Sequence, residues 1–319
     1  MVTPLEKNKS FKRKVALAYL LLFLATAYYL SPPWMAKAGL FIERSRAHLE
    51  TNSVTVGNER IFYLTGGTGP DMVLVHGFGG DKDNYIRLAR YLTKRYHLII
   101  PDLTGFGEST KDMTVSYDVF SQTSRLHEFI RSMGLKSFHL AGHSMGGAIV
   151  GAYGAQHPES LKSLLLMAPA GVSAAPDAEL MRMLKKGDNP FIINNPTDFD
   201  KLMDLTFYHK PFIPRPVRLL YSENLKTNQA LLKKTVTDLQ SIPFSLEDQI
   251  RRYPGPILVI WGDLDRIVHV KGGEILGKAH PGLVLKTMQN CGHMPMMEWP
   301  EETAGYYLSF LKDHEGNDE

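Results

Sequence analysis

The sequence predicts an α/β fold in which a mostly parallel sheet is wrapped by helices. Short apolar runs, typical of strands buried on both faces, recur along the chain, and segments with the helical spacing of apolar residues lie between them. Strands and helices alternate in this way in parallel sheets, because a parallel connection needs a crossover. One stretch, residues 171–252, has helical patterns and seven prolines but no strand run, which predicts an inserted helical cap.

The predicted elements begin with a hairpin, whose strands at 53–56 and 60–64 flank the turn dipeptide Gly57-Asn58. Six buried strand runs follow at 72–75, 97–100, 138–141, 163–167, 257–260 and 283–287. The helical patterns between and after them are 84–92, 117–133, 145–156, 271–278 and 300–311. We therefore expect an N-terminal segment over 1–50, a core over 51–170 and 253–319, and a cap over 171–252.

The composition is that of an ordinary globular protein, with 44% hydrophobic and 22% charged residues, which excludes a disordered or coiled-coil chain. The net charge of +3 is too small and too dispersed for a nucleic-acid binder. Residues 1–50 carry eight Lys and Arg against three Glu, so the N-terminus is positive and the remainder slightly negative. The single cysteine, Cys291, excludes an internal disulfide and a Cys-rich metal site.

Residues 15–30 form an apolar run in which only Thr26 is clearly polar. As a helix the run would be about 24 Å long, and the basic side chains before it can snorkel to complete the ~30 Å of a bilayer core. Since more basic residues precede the run than closely follow it, the N-terminus is expected inside and the rest of the chain exported, to the periplasmic side of the inner membrane in a bacterium. A signal cleaved near Ala25-Thr26-Ala27, followed by secretion, is the main alternative, and a buried core helix is the other.

A second helix with one apolar stripe is expected directly after this run. The stripe consists of Trp34, Ala38, Phe41, Ile42 and Leu49, and Ser31 is a candidate cap. Basic residues fall on its polar side, as in a helix that lies on a bilayer surface. The stripe would also allow two copies of the chain to pair as a homodimer through the N-terminal helix.

The segment Gly142-His143-Ser144-Met145-Gly146 follows a predicted strand and opens a predicted helix. Glycines around a serine at such a place allow a tight turn that lifts the hydroxyl above the sheet edge. This context indicates a nucleophile elbow with Ser144 as the nucleophile. The alternative is a glycine-rich helix start that Ser144 caps.

A serine hydroxyl is a weak nucleophile unless a histidine accepts its proton and an acid orients that histidine. His293 follows the last predicted strand, and Asp263 and Asp265 follow the one before, so all three reach the carboxyl ends of strands. Asp265 is the predicted acid because its loop has turned by that position, whereas Asp263 would form an Asx turn. His280 and His314 lie beside a turn proline and in the polar C-terminal tail, where no role is expected.

The oxyanion of an acyl-transfer intermediate needs two backbone N–H donors. One is expected from Met145, which follows the nucleophile, and the other from Phe78 in the loop His76-Gly77-Phe78-Gly79-Gly80. This loop lacks the Lys-Ser/Thr ending of a P-loop and the spacing of a dinucleotide fingerprint. The sequence therefore predicts no cofactor and no metal.

These motifs resemble those of the α/β-hydrolases, particularly membrane-anchored bacterial lipases and phospholipase A enzymes and the monoacylglycerol lipases. The resemblance covers residues 53–311 and includes, in order, the glycine-rich loop at 76–80, Pro101-Asp102-Leu103-Thr104-Gly105-Phe106-Gly107-Glu108-Ser109, the elbow, Trp261-Gly262-Asp263-Leu264-Asp265 and Cys291-Gly292-His293. It implies a catalytic triad of Ser144, Asp265 and His293 with oxyanion donors at Phe78 and Met145. At His143, where such relatives often have Asn or Thr, the chain departs from the pattern, which would alter the pocket floor.

The resemblance implies a serine carboxylic-ester hydrolase that releases fatty acids from glycerophospholipids, lysophospholipids or monoacylglycerols through an acyl-enzyme. The membrane bilayer and its lipids are therefore the expected partners. A serine C–C bond hydrolase, a general short-chain esterase and a non-catalytic lipid-binding membrane protein are the alternatives, although the last would be expected to lack a triad member. Apolar side chains of the cap could line an acyl tunnel. They are Met181, Met183, Leu184, Phe191, Phe199, Met203, Phe207 and Phe212.

Overall fold

A computed structural model describes residues 4–30 and 33–315. Within these residues one eight-stranded sheet has the order β1-β2-β4-β3-β5-β6-β7-β8. β2 runs antiparallel to β1 and β4, and the other neighbouring pairs are parallel, which confirms the predicted hairpin and mostly parallel sheet. The strands are β1 (Glu50–Val56), β2 (Glu59–Gly66), β3 (Asp71–Val75), β4 (His97–Pro101), β5 (Phe138–His143), β6 (Leu161–Met167), β7 (Ile257–Gly262) and β8 (Val284–Met288).

Helices cover both faces of the sheet, and each layer buries its own apolar core. The core on one face includes Phe129 and Ile149, and the core on the other includes Leu88 and Tyr307. The helices are α1 (Pro4–Leu30), α2 (Pro33–Arg46), α3 (Ile86–Leu92), α4 (Val119–Ser132), α5 (Met145–Gln156), α6 (Glu179–Lys185), α7 (Pro196–Thr206), α8 (Arg215–Thr227), α9 (Gln229–Ser241), α10 (Leu246–Ile250), α11 (Gly272–Ala279), α12 (Pro295–Glu298) and α13 (Pro300–Glu315).

The strands differ in burial according to their place in the sheet. Every residue of β5 and of β7 is buried, as the apolar runs predicted. The prediction that β8 is buried on both faces is wrong, because Lys286 and Thr287 are exposed. β8 pairs only with β7 and forms the edge of the sheet, so fewer neighbours cover it.

The segment 171–252, which we call the cap segment, contains helices α6 to α10 and, among the described residues, no strand. Some of its prolines lie at helix starts: Pro196 is the first residue of α7, and Pro214 directly precedes α8. The Asn195 side chain caps α7 by accepting the N–H groups of Thr197 and Asp198. The domain boundaries given above stay a prediction.

Helix α1 is long and apolar enough over Phe11–Leu30 to cross a membrane, and only 6% of that stretch is buried. The helix is therefore not a core helix. In α2 the side chains of Trp34, Phe41 and Ile42 are exposed, so the predicted stripe faces away from the protein. Leu49 is not part of it, because the residue lies beyond the end of α2 and is buried. The candidate cap Ser31 lies outside the described residues.

The opposite face of α2 is attached to the core by ion pairs. The Arg44 guanidinium donates to both carboxylate oxygens of Asp83, at 2.7 and 2.6 Å. Glu43 pairs with Arg90 of α3. Because these contacts fix the polar side of α2, its apolar side is the one left exposed.

Candidate active site

Ser144 lies at the sharp turn between β5 and α5, with φ 53° and ψ −119°. Such a backbone is uncommon for a residue with a side chain and persists only where its surroundings enforce it. The Ser144 N–H donates to the carbonyl of Met167 at 3.0 Å, and the Ser144 carbonyl accepts the N–H of Ala170 at 2.9 Å. These two bonds to the end of β6 and the residues after it hold the turn in place.

The two glycines of the elbow are required by close backbone contacts. A Cβ on Gly142 would come within 2.3 Å of the Gly146 carbonyl oxygen. A Cβ on Gly146 would lie 2.3 Å from the carbonyl oxygen of Val75 in β3. The spacing therefore allows strand, turn and helix to pack without side chains between them.

His293 and Asp265 are joined by a hydrogen bond of 2.8 Å between Nδ1 and Oδ2, and both side chains are almost fully buried. Asp265 also accepts the N–H groups of Ile267 and Val268 through Oδ1 and the indole N–H of Trp261 through Oδ2. These donors fix the carboxylate. Because His293 Nδ1 donates to it, the neutral imidazole leaves Nε2 free to accept a proton.

The other sequence candidates lie elsewhere. Asp263 accepts the backbone N–H of Cys291 at 3.3 Å and so connects the two loops after β7 and β8 without contacting His293. His280 bonds to the Tyr253 carbonyl at the end of α11, and His314 bonds to the Phe310 carbonyl in α13. The structure thus places Asp265, not Asp263, against His293.

Ser144 and His293 line one cavity between the core and the cap segment. Most of its wall is apolar, and nine of its twenty lining residues come from the cap segment. Four predicted tunnel residues line it, namely Phe191, Phe199, Met203 and Phe207, together with residues not predicted, namely Leu202, Ile213, Tyr221, Leu225, Ile267, Met294 and Met297.

Four of the predicted tunnel residues lie outside this cavity. Met181 and Phe212 are exposed, Met183 lines a separate polar pocket, and Leu184 is half-buried without reaching the cavity. Helix α6, the first helix of the cap segment, lies beside that polar pocket, so its apolar side chains do not reach Ser144. The prediction was wrong for these positions.

The glycine-rich loop lies directly against the elbow, since a Cβ on Gly77 would come within 3.0 Å of the Ser144 Cβ. Phe78 in this loop lines the cavity, and its backbone N–H has no partner among the described residues. Met145 is the first residue of α5, so its N–H has no carbonyl one turn earlier to bond to. The two predicted donors therefore belong to the glycine-rich loop and to the start of α5, which meet beside Ser144.

The motif 101–109 is connected by hydrogen bonds to the glycine-rich loop and to the residues directly after it. Asp102 accepts the backbone N–H of Lys82 at 2.8 Å and its ammonium at 2.7 Å, and also the N–H of Glu108. His76 is fixed too, because its Nε2 accepts the Leu103 N–H at 3.0 Å while Nδ1 donates to the Gly77 carbonyl. Burial lowers the pKa of His76, which keeps the ring neutral and suited to both bonds.

His143, the residue that departs from the family pattern, lies beneath His293. Its Nε2 donates to the His293 carbonyl at 2.8 Å, and the two rings are 4.6 Å apart. Its buried Nδ1 has no partner among the described residues. Burial lowers the pKa of His143 well below its ordinary value, and the neighbouring His293 adds to this effect.

Sequence reasoning missed Glu298, whose buried carboxylate lies behind His293. It accepts backbone N–H groups from both the His293 loop and the cap segment. Burial raises the pKa of this carboxyl, while the four N–H donors act in the opposite direction. Its position five residues after His293 is visible in the sequence, but the sequence does not show what it contacts.

Comparison with known proteins agrees with this geometry. Residues 70–300 match the family model of the alpha/beta hydrolase fold. Lipase 3 from Moraxella sp. (strain TA144) is 38% identical over 279 residues, which cover 84% of this chain and 86% of the lipase. A monoacylglycerol lipase from Xenopus laevis is 29% identical, with 93% of each chain covered.

Solved structures are similar as well. The crystal structure of a membrane phospholipase A, described as a bacterial virulence factor, superposes with a TM-score of 0.87 at 39% identity and covers 95% of this chain and 99% of that one. Because these relatives are a lipase, a monoacylglycerol lipase and a phospholipase A, the protein is a carboxylic ester hydrolase. The resemblance seen in the motifs is confirmed, and the chain belongs to the α/β-hydrolase family.

Proposed function

We propose that the protein is a membrane-anchored serine hydrolase that releases fatty acids from membrane lipids: glycerophospholipids, lysophospholipids or monoacylglycerols. The observation that carries the proposal is the cavity, in which Ser144 and His293 lie at the floor of an apolar wall. Polar groups for chemistry are thus concentrated at one end, as in sites that bind an apolar ligand and react at its head.

In this mechanism the Nε2 of His293 takes the proton of Ser144 Oγ while the oxygen attacks the ester carbonyl carbon. The N–H groups of Phe78 and Met145 stabilise the oxyanion, and His293 then gives its proton to the leaving alcohol. Water, activated by His293, hydrolyses the acyl-enzyme and releases the fatty acid. Asp265 holds the imidazole and stabilises its charged form through the 2.8 Å bond.

The composition of the cap wall supports an acyl chain as the bound group. Phe199, Leu202 and Leu225 face the cavity from two different helices, and Met203 adds a flexible thioether. Such a wall offers few partners to a charged or strongly polar substrate, whose burial without hydrogen bonds would cost several kcal/mol. A methylene chain has no hydrogen bonds to lose there, and its burial is favourable by about 0.8 kcal/mol per CH₂.

The contact between α1 and α8 supports placing the cavity mouth at a bilayer surface. The Arg215 N–H donates to the Tyr28 hydroxyl at 3.3 Å, and the Arg215 guanidinium binds the Tyr29 carbonyl. Both tyrosines end the apolar helix, where an aromatic interface belt belongs. Three residues earlier Phe212 is 77% exposed, and Ile213 between them lines the cavity. We infer one span, with the N-terminus inside and the catalytic domain exported.

The alternatives gain less support. A 2-hydroxy-6-oxo-6-phenylhexa-2,4-dienoate hydrolase from Rhodococcus sp. strain RHA1 superposes with a TM-score of 0.71 over 83% of this chain and 99% of its own, but at 22% identity this shows the fold alone. No contact in the described residues favours its aromatic-acid substrate. Homodimer formation through α1 and α2 stays a prediction.

A substrate panel tests the proposal. Purified full-length protein in detergent micelles is assayed on phospholipids, lysophospholipids, monoacylglycerols, short aryl esters and a C–C bond substrate, with Ser144→Ala as the matched control. We expect fatty acid release from at least one lipid class, dependent on Ser144. Turnover of the C–C bond substrate alone would contradict the proposal, and hydrolysis of short esters alone would leave a general esterase.

A further inference from the structure

The carboxylate of Glu298 connects two parts of the chain that meet at the active site. Its Oε1 accepts the N–H group of Met294 at 3.3 Å, and the N–H group of Gly292 is shared between Oε1 and Oε2, at 3.0 Å from each, so both residues next to His293 are bound. Its Oε2 accepts the N–H groups of Tyr208 at 3.1 Å and His209 at 2.7 Å, which belong to the cap segment. One buried side chain thus takes up backbone donors from both sides.

The backbone of His293 itself contacts the same cap residues. Its N–H donates to the carbonyl of Thr206, the last residue of α7, at 2.9 Å. Gly292 allows this approach, because a Cβ there would lie 2.6 Å from the Tyr208 nitrogen and 2.9 Å from the Thr206 oxygen. The loop carrying the histidine and the end of α7 are therefore in direct backbone contact.

We propose that Glu298 is a positioning residue for His293, an inference that rests on the proposed function. Both oxygens of the carboxylate are used, since Oε1 accepts from the His293 loop only, while Oε2 accepts from the cap segment and shares the Gly292 N–H group. With both engaged, the loop can lie in only one place relative to α7. The same contact makes the placement of the imidazole dependent on the position of the cap segment.

Replacement of one carboxylate oxygen by an amide nitrogen should break these hydrogen bonds without changing the size of the side chain. In Glu298→Gln the NH₂ group, whichever side it faces, meets N–H donors with a donor. In one orientation Met294 loses its acceptor, in the other Tyr208 and His209 lose theirs, and the side that is left without an acceptor shifts. A shift of about 1 Å in a catalytic group lowers the rate by up to about a hundredfold.

Glu247, which lies in α10 near the end of the cap segment, provides a matched control. It is also a largely buried glutamate, and it accepts the N–H groups of Ser173 and Ala174 and the Ser173 hydroxyl. It contacts neither His293 nor Asp265. Glu247→Gln therefore reproduces the structural cost of losing a buried carboxylate without disturbing the histidine.

The experiment compares wild type, Glu298→Gln, Glu247→Gln and Ser144→Ala on a soluble butyrate aryl ester. Rates are measured at a pH where wild-type activity is constant, well below the lowest Tm of the set. For Glu298→Gln we expect kcat to fall by about tenfold to a hundredfold with KM within about twofold. Glu247→Gln should keep kcat within about twofold while losing thermal stability. Gly292→Ala, which separates the loop from Tyr208, should lower kcat as Glu298→Gln does.

Two results would overturn the proposal: an unchanged kcat in Glu298→Gln, or equal losses of kcat in both glutamine variants. The latter would mean that Glu298 is structural only. If the wild type hydrolyses no ester in a Ser144-dependent way, the proposed function itself fails, and this is seen before any glutamate variant is compared.

Discussion

The two walls of the catalytic cavity are built by opposite principles. On the core side, Ser144 and His293 are fixed by backbone hydrogen bonds, by buried charge and by glycines that allow backbone contacts. On the cap side, phenylalanine, leucine and methionine side chains of α7, α8 and the loops beside α7 line the space without polar partners. We infer from this difference that the core would set the geometry of the proposed reaction, while the cap segment offers an adaptable apolar surface.

Removal of the proposed nucleophile on the core side should have the largest effect on activity. Ser144→Ala should lower ester hydrolysis by about 10⁴-fold or more, because triad members act as a unit. The fold should persist, since the φ of 53° is enforced by the bonds to the end of β6 and the residues after it. The initial rates of wild type and variant on an aryl ester are compared, and the Tm of each serves as the control for folding. Unchanged activity would refute the assignment of the nucleophile.

Removal of charge from the acid should have the next largest effect. Asp265→Asn should lower kcat by about 10⁴-fold, because the amide no longer holds the productive tautomer of His293. Asp263→Asn is the matched control, as this carboxylate bonds to Cys291 and not to the imidazole. The two variants are compared by kcat on the same ester. If the Asp263 variant were the more impaired, the acid would have to be reassigned.

The role of the cap side chains in acyl-chain binding can be tested separately from the core. Phe199 is buried and lines the cavity, so Phe199→Ala should weaken long-chain binding by about 1.5–3 kcal/mol. This corresponds to an increase in KM of more than about tenfold for a long acyl ester, whereas a short one should be little affected. Met181→Ala, at an exposed cap position outside the cavity, serves as the control. Equal effects on both chain lengths would argue against an acyl pocket.

A smaller effect is expected from His143, which connects the elbow to the His293 loop. Its folded-state pKa is lowered below the unfolded value of about 6.5, so its contribution to stability is present above that pH and is lost as the pH falls. His143→Asn removes this term and retains a donor for the His293 carbonyl. Between pH 7 and pH 5 the variant should therefore lose less Tm than the wild type. A parallel decline would contradict the burial of a neutral ring.

The placement of Ser144, Asp265 and His293 at one edge of the sheet was predictable from the sequence because its signals are local. The elbow at 142–146 needs glycine at both ends for contacts within one strand-turn-helix unit, and Ser144, Asp265 and His293 each follow a strand of the same sheet. The prediction for β8 failed because edge position depends on strand order, which an apolar run does not reveal.

The cap wall was only half predictable. Apolar residues of the cap segment were identified, but which of them face Ser144 depends on how α6 and α7 are placed on the core. Met183 and Leu184 were therefore assigned wrongly, and Leu202 and Leu225 were missed. Glu298 was missed for the same reason, because its partners at Tyr208 and His209 are about ninety residues away in the chain.

In the proposed function the core performs the chemistry, while the N-terminal helix brings it to membrane lipid. The most direct test removes residues 1–30 and compares two activities: hydrolysis of a short soluble ester and hydrolysis of phospholipid in vesicles. Tethering raises the local substrate concentration without altering the site, so the truncated enzyme should keep its soluble-ester activity and lose most of its vesicle activity. Undiminished hydrolysis of vesicle phospholipid by the truncated enzyme would contradict the account.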